Sequence, residues 1–577
     1  MKKNVTIILL LLISFAVSAQ SIDKKLDKTM QLFADAGQFS GTVLVSQKGK
    51  VIFEKSYGLA NQEWKIPNTI DTKFLIGSVT KQFTSLLVLQ LVQEGKIDLN
   101  KSIRTYLTDY PEKNGNKISI HHLLTHTAGI PNYTEIPSFS QNMTVKNIKP
   151  EDFIKDYTGL DLEFEPGTKW NYSNTGYYIL GVLIEKVTGK SYAKNLEERI
   201  FTPLKMTNSG LADNSTIYPK MADGYNYSFG EWTRAGYVNL SQVYAAGGIF
   251  STVHDLLTWE NSLWSNQLIS KEMTEKMFAK YANAMGGYYG YARMTAKFKT
   301  ATMKDSLTFN EHGGSIPSFN SLLTTIPETQ TTIILLRNHL NGPMNTIKMA
   351  LVQTLNGEKV KAPKKDGVAE FAAKIKSDGM EKALSWLRQI KTEKADEYTV
   401  AEDGLNSLGY KFLGDGELNE AIAVFKLNCE FFPRSGNTWD SLGEAYYEAK
   451  RFDESKSAYK KSLENDPTNQ NAINYLTKMG EKMDTATEVK VDPAVFKTLV
   501  GQYQLAPGFI LTITTENNQI FAQATGQQKL EIFPKSDYEY YLKVVSAQIT
   551  FVKDEKGKIN QLILHQGGRD MPANRVE

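Results

Sequence analysis

A serine followed three residues later by a lysine is the smallest pairing in this 577-residue chain that could supply a nucleophile with its own base. A serine hydroxyl attacks a carbonyl only when something takes its proton, and a lysine amine can do so once burial lowers its proton affinity. The pattern occurs at Ser21, Ser78, Ser191 and Ser457. Ser21 follows a leader-like stretch and Ser457 falls inside a repetitive helical region, whereas Ser78 stands in Ile76-Gly77-Ser78-Val79-Thr80-Lys81-Gln82-Phe83, at the head of an apolar segment. On a helix, residues three apart share a face, so Lys81 reaches the Ser78 hydroxyl, and the helix amino end offers a backbone N–H to a developing oxyanion. Tyr-x-Asn occurs at Tyr172, Tyr237 and Tyr281, and only Tyr172 lies in a Pro/Gly loop that runs into a helix, ending Tyr172-Ser173-Asn174-Thr175-Gly176. Glu311-His312-Gly313-Gly314-Ser315 follows, at the expected end of a strand.

These residues need a frame. Apolar Phe83, Leu86, Leu87, Leu91 and Val92 recur at helical spacing across 78–94 and Gly95 supplies a stop, which predicts a long buried helix. Residues 41–58 read as a hairpin turning at Lys48-Gly49. Residues 307–310, 321–325 and 331–336 return to strand patterning, separated by Gly-Gly and Pro-Glu turns. A hairpin first, helices between and strands last predict an α+β domain whose two chain ends share one antiparallel sheet flanked by helices.

With Ser78-x-x-Lys81, Tyr172-Ser173-Asn174 and His312-Gly313-Gly314 in that order, residues 30–355 resemble the serine β-lactamase-related and penicillin-binding-protein-like hydrolases: class C β-lactamases, D-Ala-D-Ala carboxypeptidases and esterases. Leu123-Leu124-Thr125-His126-Thr127-Ala128-Gly129-Ile130-Pro131 and Ala245-Ala246-Gly247-Gly248 are similar to further family stretches. The resemblance implies a β-lactamase/transpeptidase-like fold, Ser78 as nucleophile, and Lys81 and Tyr172 sharing the proton work with the primary base left open. It implies Asn174, His312, Gly313 and Gly314 as substrate-binding or supporting residues, and the backbone N–H groups of Ser78 and Ser315 as the oxyanion hole. No cofactor or metal is implied. The third motif departs from Lys-Thr-Gly: an imidazole replaces the ammonium that would bind a carboxylate, which ranks a D-amino-acid peptidase or an esterase above a β-lactamase. The other reading is a non-turnover, penicillin-binding receptor or scaffold that uses the rest of the chain for partners.

The remainder is organised differently. After a Lys-rich linker at 358–367, Leu408-Gly409 recurs as Leu442-Gly443, Phe425 as Tyr459 and Pro433 as Pro467, each 34 residues on, a period that resembles tetratricopeptide repeats. Helical pieces at 371–390 and 471–479 complete an all-α stack over 368–482, a surface for a protein partner. Alternating runs such as 509–513 and 547–552 then predict a small all-β domain over 483–577.

Residues 1–19 have the Lys2-Lys3 start, apolar centre and Ser18-Ala19 exit of a signal peptide, with an apolar run short of the roughly 20 residues that span a bilayer. The expectation is a hydrolase domain over 20–357, located in the periplasm or secreted, with a peptide, D-amino-acid or ester substrate and no membrane span. A formal charge of +3, from 66 basic and 63 acidic residues, gives no field for nucleic acid. The single cysteine, Cys429, excludes an internal disulfide and reads as a buried residue of a repeat helix. His122 and His126, four apart on a predicted helix, lack the Glu of His-Glu-x-x-His, so His126 reads as structural.

Overall fold

The computed structural model describes residues 22–576 apart from 137–146, 301–302, 341, 343, 482–488, 490, 507, 546 and 567–568. The signal-peptide expectation at 1–19 lies outside the described residues. The chain divides into two compact units, Met1–Lys365 and Asp366–Glu577.

The first unit is built on an eight-stranded sheet. Its strands are β1 (Gly41–Gln47), β2 (Lys50–Tyr57), β3 (Ala282–Ala284), β4 (Gly287–Tyr289), β5 (Met294–Phe298), β6 (Leu307–Ile316), β7 (Phe319–Ile326) and β8 (Thr331–Arg337). They lie in the order β3-β4-β5-β6-β7-β8-β1-β2. All pairings are antiparallel, and β1 is flanked by β2 and β8, with Val43 opposite both Lys55 and Leu335. The two chain ends do share one sheet. Side chains alternate across a strand, and here both faces are covered. Val43, Val45, Ile333 and Leu335 pack with Ile347 and Leu351 of the helix Met344–Leu355. Leu44, Ile334 and Leu336 join the larger core on the other side.

That larger core surrounds α1 (Thr80–Gln93) and α2 (Asn174–Thr188). Phe83 and Leu86 to Leu89 of α1 are fully buried, and so are Lys81, Gln82, Thr84 and Ser85 on its other faces. A helix buried on every side is a central strut, and a polar residue on it needs a specific partner.

β6 departs from the expected pattern. Gly313-Gly314 lies inside the strand, and the turn falls at Pro317-Ser318 instead. Glycine is there because another segment passes close by, as the site shows.

In the second unit, helices α3 (Gly367–Asp378), α4 (Met380–Glu393), α5 (Glu402–Gly414), α6 (Leu418–Phe431), α7 (Gly436–Glu448), α8 (Phe452–Asn465) and α9 (Gln470–Lys478) form successive hairpins. The 34-residue landmarks have a packing cause. A Cβ on Gly409 would sit 2.4 Å from the Phe425 ring, and one on Gly443 2.9 Å from the Tyr459 ring, so each glycine makes room for the aromatic of the next helix. Cys429 is buried in α6, which pushes its thiol up to about 12. After α10 (Pro493–Leu499), eight strands, β9 (Gly501–Ala506), β10 (Phe509–Glu516), β11 (Gln519–Ala524), β12 (Leu530–Pro534), β13 (Glu539–Leu542), β14 (Ala547–Lys553), β15 (Ile559–Gln566) and β16 (Arg569–Arg575), form a closed barrel. Each strand pairs with the next, and Tyr503 opposite Arg575 closes the ring.

Candidate active site

Ser78 occupies a one-turn 3-10 segment, Gly77–Val79, immediately before α1, rather than the first α-helical turn. Gly77 has φ +51, and a Cβ on it would lie 2.8 Å from Ser315 N. A Cβ on Gly314 would lie 2.0 Å from Ile76 O and 2.9 Å from Ser78 N. These two glycines let the Ser78 turn lie against β6 with the Ser78 and Ser315 main chains side by side. Ser321 Oγ, on β7, donates to Ile76 O at 2.6 Å and holds the turn there.

At the second residue of α1, Lys81 Nζ lies 3.1 Å from Ser78 Oγ, 2.7 Å from Asn174 Oδ1 and 2.7 Å from Ala246 O. The amine is fully buried among the described residues, and burial pushes its pKa well below the ordinary lysine value. A neutral amine has two N–H bonds and one lone pair. Asn174 Oδ1 and Ala246 O, both acceptors, take the two N–H bonds, which leaves the lone pair for the Ser78 hydroxyl. The aromatic faces of Tyr172 and Tyr177 stand 4.9 and 5.5 Å from Nζ. Asn174, at the start of α2, is itself held by Asn132, whose Oδ1 accepts from Asn174 N at 3.1 Å and from Nδ2 at 3.2 Å.

The Tyr172 hydroxyl is buried and closes no hydrogen bond among the described residues. Burial raises its pKa far above the ordinary 10, against a smaller lowering from the neighbouring Ser78 hydroxyl, so the phenol keeps its proton. The pair is therefore divided: the amine is shifted towards its free-base form and the phenol towards its acid form.

His312 is buried beside these groups, its ring 6.4 Å from that of Tyr172. Its Nδ1 is 2.6 Å from Gly313 O, and its Nε2 is 2.9 Å from Tyr289 OH. A carbonyl only accepts, so Nδ1 carries the proton and Nε2 accepts from Tyr289. On the far side, Ser173 N donates to His126 Nδ1 at 3.1 Å, which places the His126 proton on Nε2, 3.2 Å from Tyr289 OH. The direction of every bond follows: Ser173 N–H to His126, His126 to Tyr289, Tyr289 to His312, His312 to Gly313. Both rings are neutral in this arrangement. Burial, with Lys81 next, lowers the pKa of each, His312 to about 3.

Sequence reasoning put His126 on a helix with His122 and did not single out Tyr289. The helix ends at Leu124, His126 takes the left-handed φ of +58, and its ring packs 4.3 Å from that of Tyr172. His122 instead caps its own helix: Ser119 N donates to His122 Nδ1, and His122 N donates to Ser119 Oγ. Tyr289 sits at the end of β4, and nothing in its spacing connects it with His312; only the sheet order brings them together. Tyr281 stacks on Tyr291 at 4.6 Å, and Tyr237 is exposed.

Residues 23–355 match the family described as Beta-lactamase, which is more than half of the chain. The chain belongs to the β-lactamase family. It is a serine hydrolase of that family, similar to penicillin-binding proteins. A putative penicillin-binding protein, PbpX, of Bacillus subtilis (strain 168) is 30% identical over 322 residues, 56% of this chain and 76% of that one. A teichoic acid D-alanine hydrolase of Staphylococcus aureus is 30% identical over 258 residues, 45% of this chain and 62% of that one. The solved structure of a D-amino acid amidase from Ochrobactrum anthropi SV3, complexed with D-phenylalanine, shares the fold with a TM-score of 0.50 and 22% identity, over 58% of this chain and 99% of that one. Beyond the β-lactamase family region, residues 436–469 match a tetratricopeptide repeat and 485–574 a domain of unknown function (DUF3471). No helix among the described residues is long and apolar enough to cross a membrane.

Proposed function

We propose that the chain is an exported hydrolase that moves the acyl group of a D-amino-acid amide or ester onto Ser78 and then onto water. The observation that carries this reading is the buried Lys81 amine, 3.1 Å from Ser78 Oγ with Asn174 Oδ1 and Ala246 O each at 2.7 Å, so that in its free-base form the two N–H bonds go to those oxygens and the lone pair is left for Ser78. Lys81 takes the Ser78 proton as Oγ attacks the carbonyl carbon. The backbone N–H groups of Ser78 and Ser315 receive the oxyanion, a contribution of about 3 kcal/mol per donor. Tyr172, protonated and unpartnered, gives its proton to the departing nitrogen or oxygen, and the new Lys81 ammonium restores it. Deacylation runs the same transfers with water in place of the leaving group.

The substrate class rests on the third motif. His312 is neutral with both nitrogens engaged inside the protein, so it offers no cation to a substrate carboxylate. A neutral amide or ester fits this better than an anionic β-lactam. The D-alanine hydrolase named for the Staphylococcus aureus relative points the same way. Export rests on the pattern of residues 1–19, and a periplasmic or secreted location follows from it.

The test is acylation. The parent protein should take up one fluorophosphonate per chain and turn over p-nitrophenyl esters and D-alanyl esters or amides, and Ser78→Ala should do neither. Lys81→Ala should slow acylation at least a hundredfold. Labelling of Ser78→Ala at the parent rate would overturn the assignment, and labelling of the parent without turnover of any substrate would favour a receptor.

A further inference from the structure

The carboxy-terminal barrel holds a cavity of about 630 Å³, and its origin can be read along the strands. Alternate residues point inward. At one end the inward positions are large: Tyr503, Tyr540 and Phe551 pack together with ring centroids 5.7–5.9 Å apart. Phe496 and Leu499 of α10 join the same core, and Tyr503 OH donates to Leu499 O at 2.8 Å. This end is a closed aromatic floor. Towards the other end the same strands present small or aliphatic groups inward, with Phe551 followed by Ile549 and Ala547, and Ile520 by Ala522 and Ala524. With these short side chains, the space between Leu511, Leu530, Leu542, Leu564 and Met571 is left hollow.

Eight strands enclose an interior just wide enough either to be filled by side chains or to hold one small ligand, and here each half takes one of those outcomes. The volume falls within the range of small-molecule sites. The chemistry of the lining narrows the class. Among the described residues that line the cavity there is no lysine or arginine. The one acid, Asp570, is engaged by His565 at 2.6 Å and by Arg434, which is not among the lining residues, at 3.6 Å. Gln527, Gln528 and Gln566 supply neutral amides. We propose that this barrel binds one molecule with an apolar tail and an uncharged, hydrogen-bonding head, such as an alcohol, amide or ester of an alkyl chain. A carboxylate head would enter an apolar cavity with no lysine or arginine among its described lining residues, at a large desolvation cost. The proposal is independent of the reading of Ser78.

The neutral dye N-phenyl-1-naphthylamine is titrated into the full chain and followed by its fluorescence. Saturable binding of one dye per chain is expected, unchanged in Ser78→Ala and after fluorophosphonate treatment. Ala524→Trp and Ala547→Phe, placed on two different strands, should each weaken it at least tenfold with the circular dichroism of the parent. Decanol should displace the dye at least tenfold more effectively than decanoate at pH 8, a comparison that needs no variant. Dye that fails to saturate, or that binds both folded filled variants like the parent, overturns the site. Equal competition by decanoate overturns the uncharged head.

Discussion

Acid should unfold the first unit well before its carboxylates take up protons. His126, His312 and His339 are 2%, 7% and 0% exposed. Each is held below the ordinary imidazole range, first by burial, with Lys81 adding at His126 and His312 whenever its amine is protonated and the Arg337 charge adding at His339. His312 and His339 are pushed down to about 3, and His126 is also well below its ordinary value. In the unfolded chain the same rings titrate near pH 6.5. The unfolded state therefore binds protons first: stability is complete above about pH 6.5 and is lost as pH falls from there towards about 3. His312 and His339 together give a slope of roughly 3 kcal/mol per pH unit and a loss of about 4 kcal/mol between pH 7 and pH 5, to which His126 adds in the same direction. That is a large part of the whole stability of many domains, about 5–15 kcal/mol. His121 and His122, also lowered by burial, act in the same direction, whereas buried Asp255, whose pKa is raised, opposes the trend only in the carboxylate range. Urea unfolding followed by tryptophan fluorescence reads the effect, since Trp64, Trp170, Trp232, Trp259 and Trp264 lie in this unit. The midpoint should fall steeply between pH 6.5 and 5 at constant slope in urea, and His339→Gln should remove about a third of the pH dependence. A midpoint that stays level from pH 7 to 5.5 would refute the claim that these rings are buried neutral.

Gly314→Ala should cut ester turnover at least a hundredfold, because its Cβ would meet Ile76 O at 2.0 Å, while Gly313→Ala, whose nearest neighbour would be 3.7 Å away, should stay within a few-fold. Fluorophosphonate labelling rates compare the two. Tyr289→Phe leaves His126 Nε2–H and the His312 Nε2 lone pair unmatched and should lower the urea-derived stability by about 2–6 kcal/mol, at 1–3 kcal/mol for each orphaned group. His312→Lys should raise the preference for substrates carrying a carboxylate over their neutral analogues, read as a ratio of kcat/KM; an unchanged ratio would mean that the imidazole does not set that selectivity. Gly409→Ala, with its Cβ 2.4 Å from the Phe425 ring, should lower the melting transition of the second unit by about 1–3 kcal/mol without altering the rate at which Ser78 is labelled.

The parts of the fold that could be read from the residues are those with a periodic cause. Short apolar runs bounded by turn residues marked β1 and β8, alternation marked the barrel strands, helical spacing marked α1, and the 34-residue offset marked glycines that admit a ring. The same local logic failed at Gly313-Gly314, where a glycine pair normally marks a turn. Gly314 is needed for a close approach between segments far apart in sequence, and no local pattern records that. Ser78, Lys81, Tyr172 and Asn174 were nameable because each lies in a short motif, and Ala246 was quoted as part of one before its carbonyl could be seen to receive Lys81. His126 reads from sequence as structural, and Tyr289 lies in no motif. Their importance comes from a chain of hydrogen bonds whose members are far apart in sequence, joined only through the sheet and the loop before Tyr172. The protonation states of Lys81 and His312 were equally hidden, because burial is a property of the folded molecule.

The place of β1 in the sheet has a further consequence, for the order in which the molecule can be made. Residues 41–47 are among the first of the described chain to leave the ribosome, yet one of the two strands they pair with is β8, at 331–337. At about 5–20 residues per second, synthesis of the intervening stretch takes on the order of 15–60 seconds. Throughout that interval Val43, Leu44 and Val45 form one side of a hairpin with an open hydrogen-bonding edge, the kind of surface on which chains aggregate. Assembly of the catalytic half must therefore wait until β8 has been made, and a mutation that merely slows closure by β8 reduces the yield of active protein without disturbing any residue around Ser78.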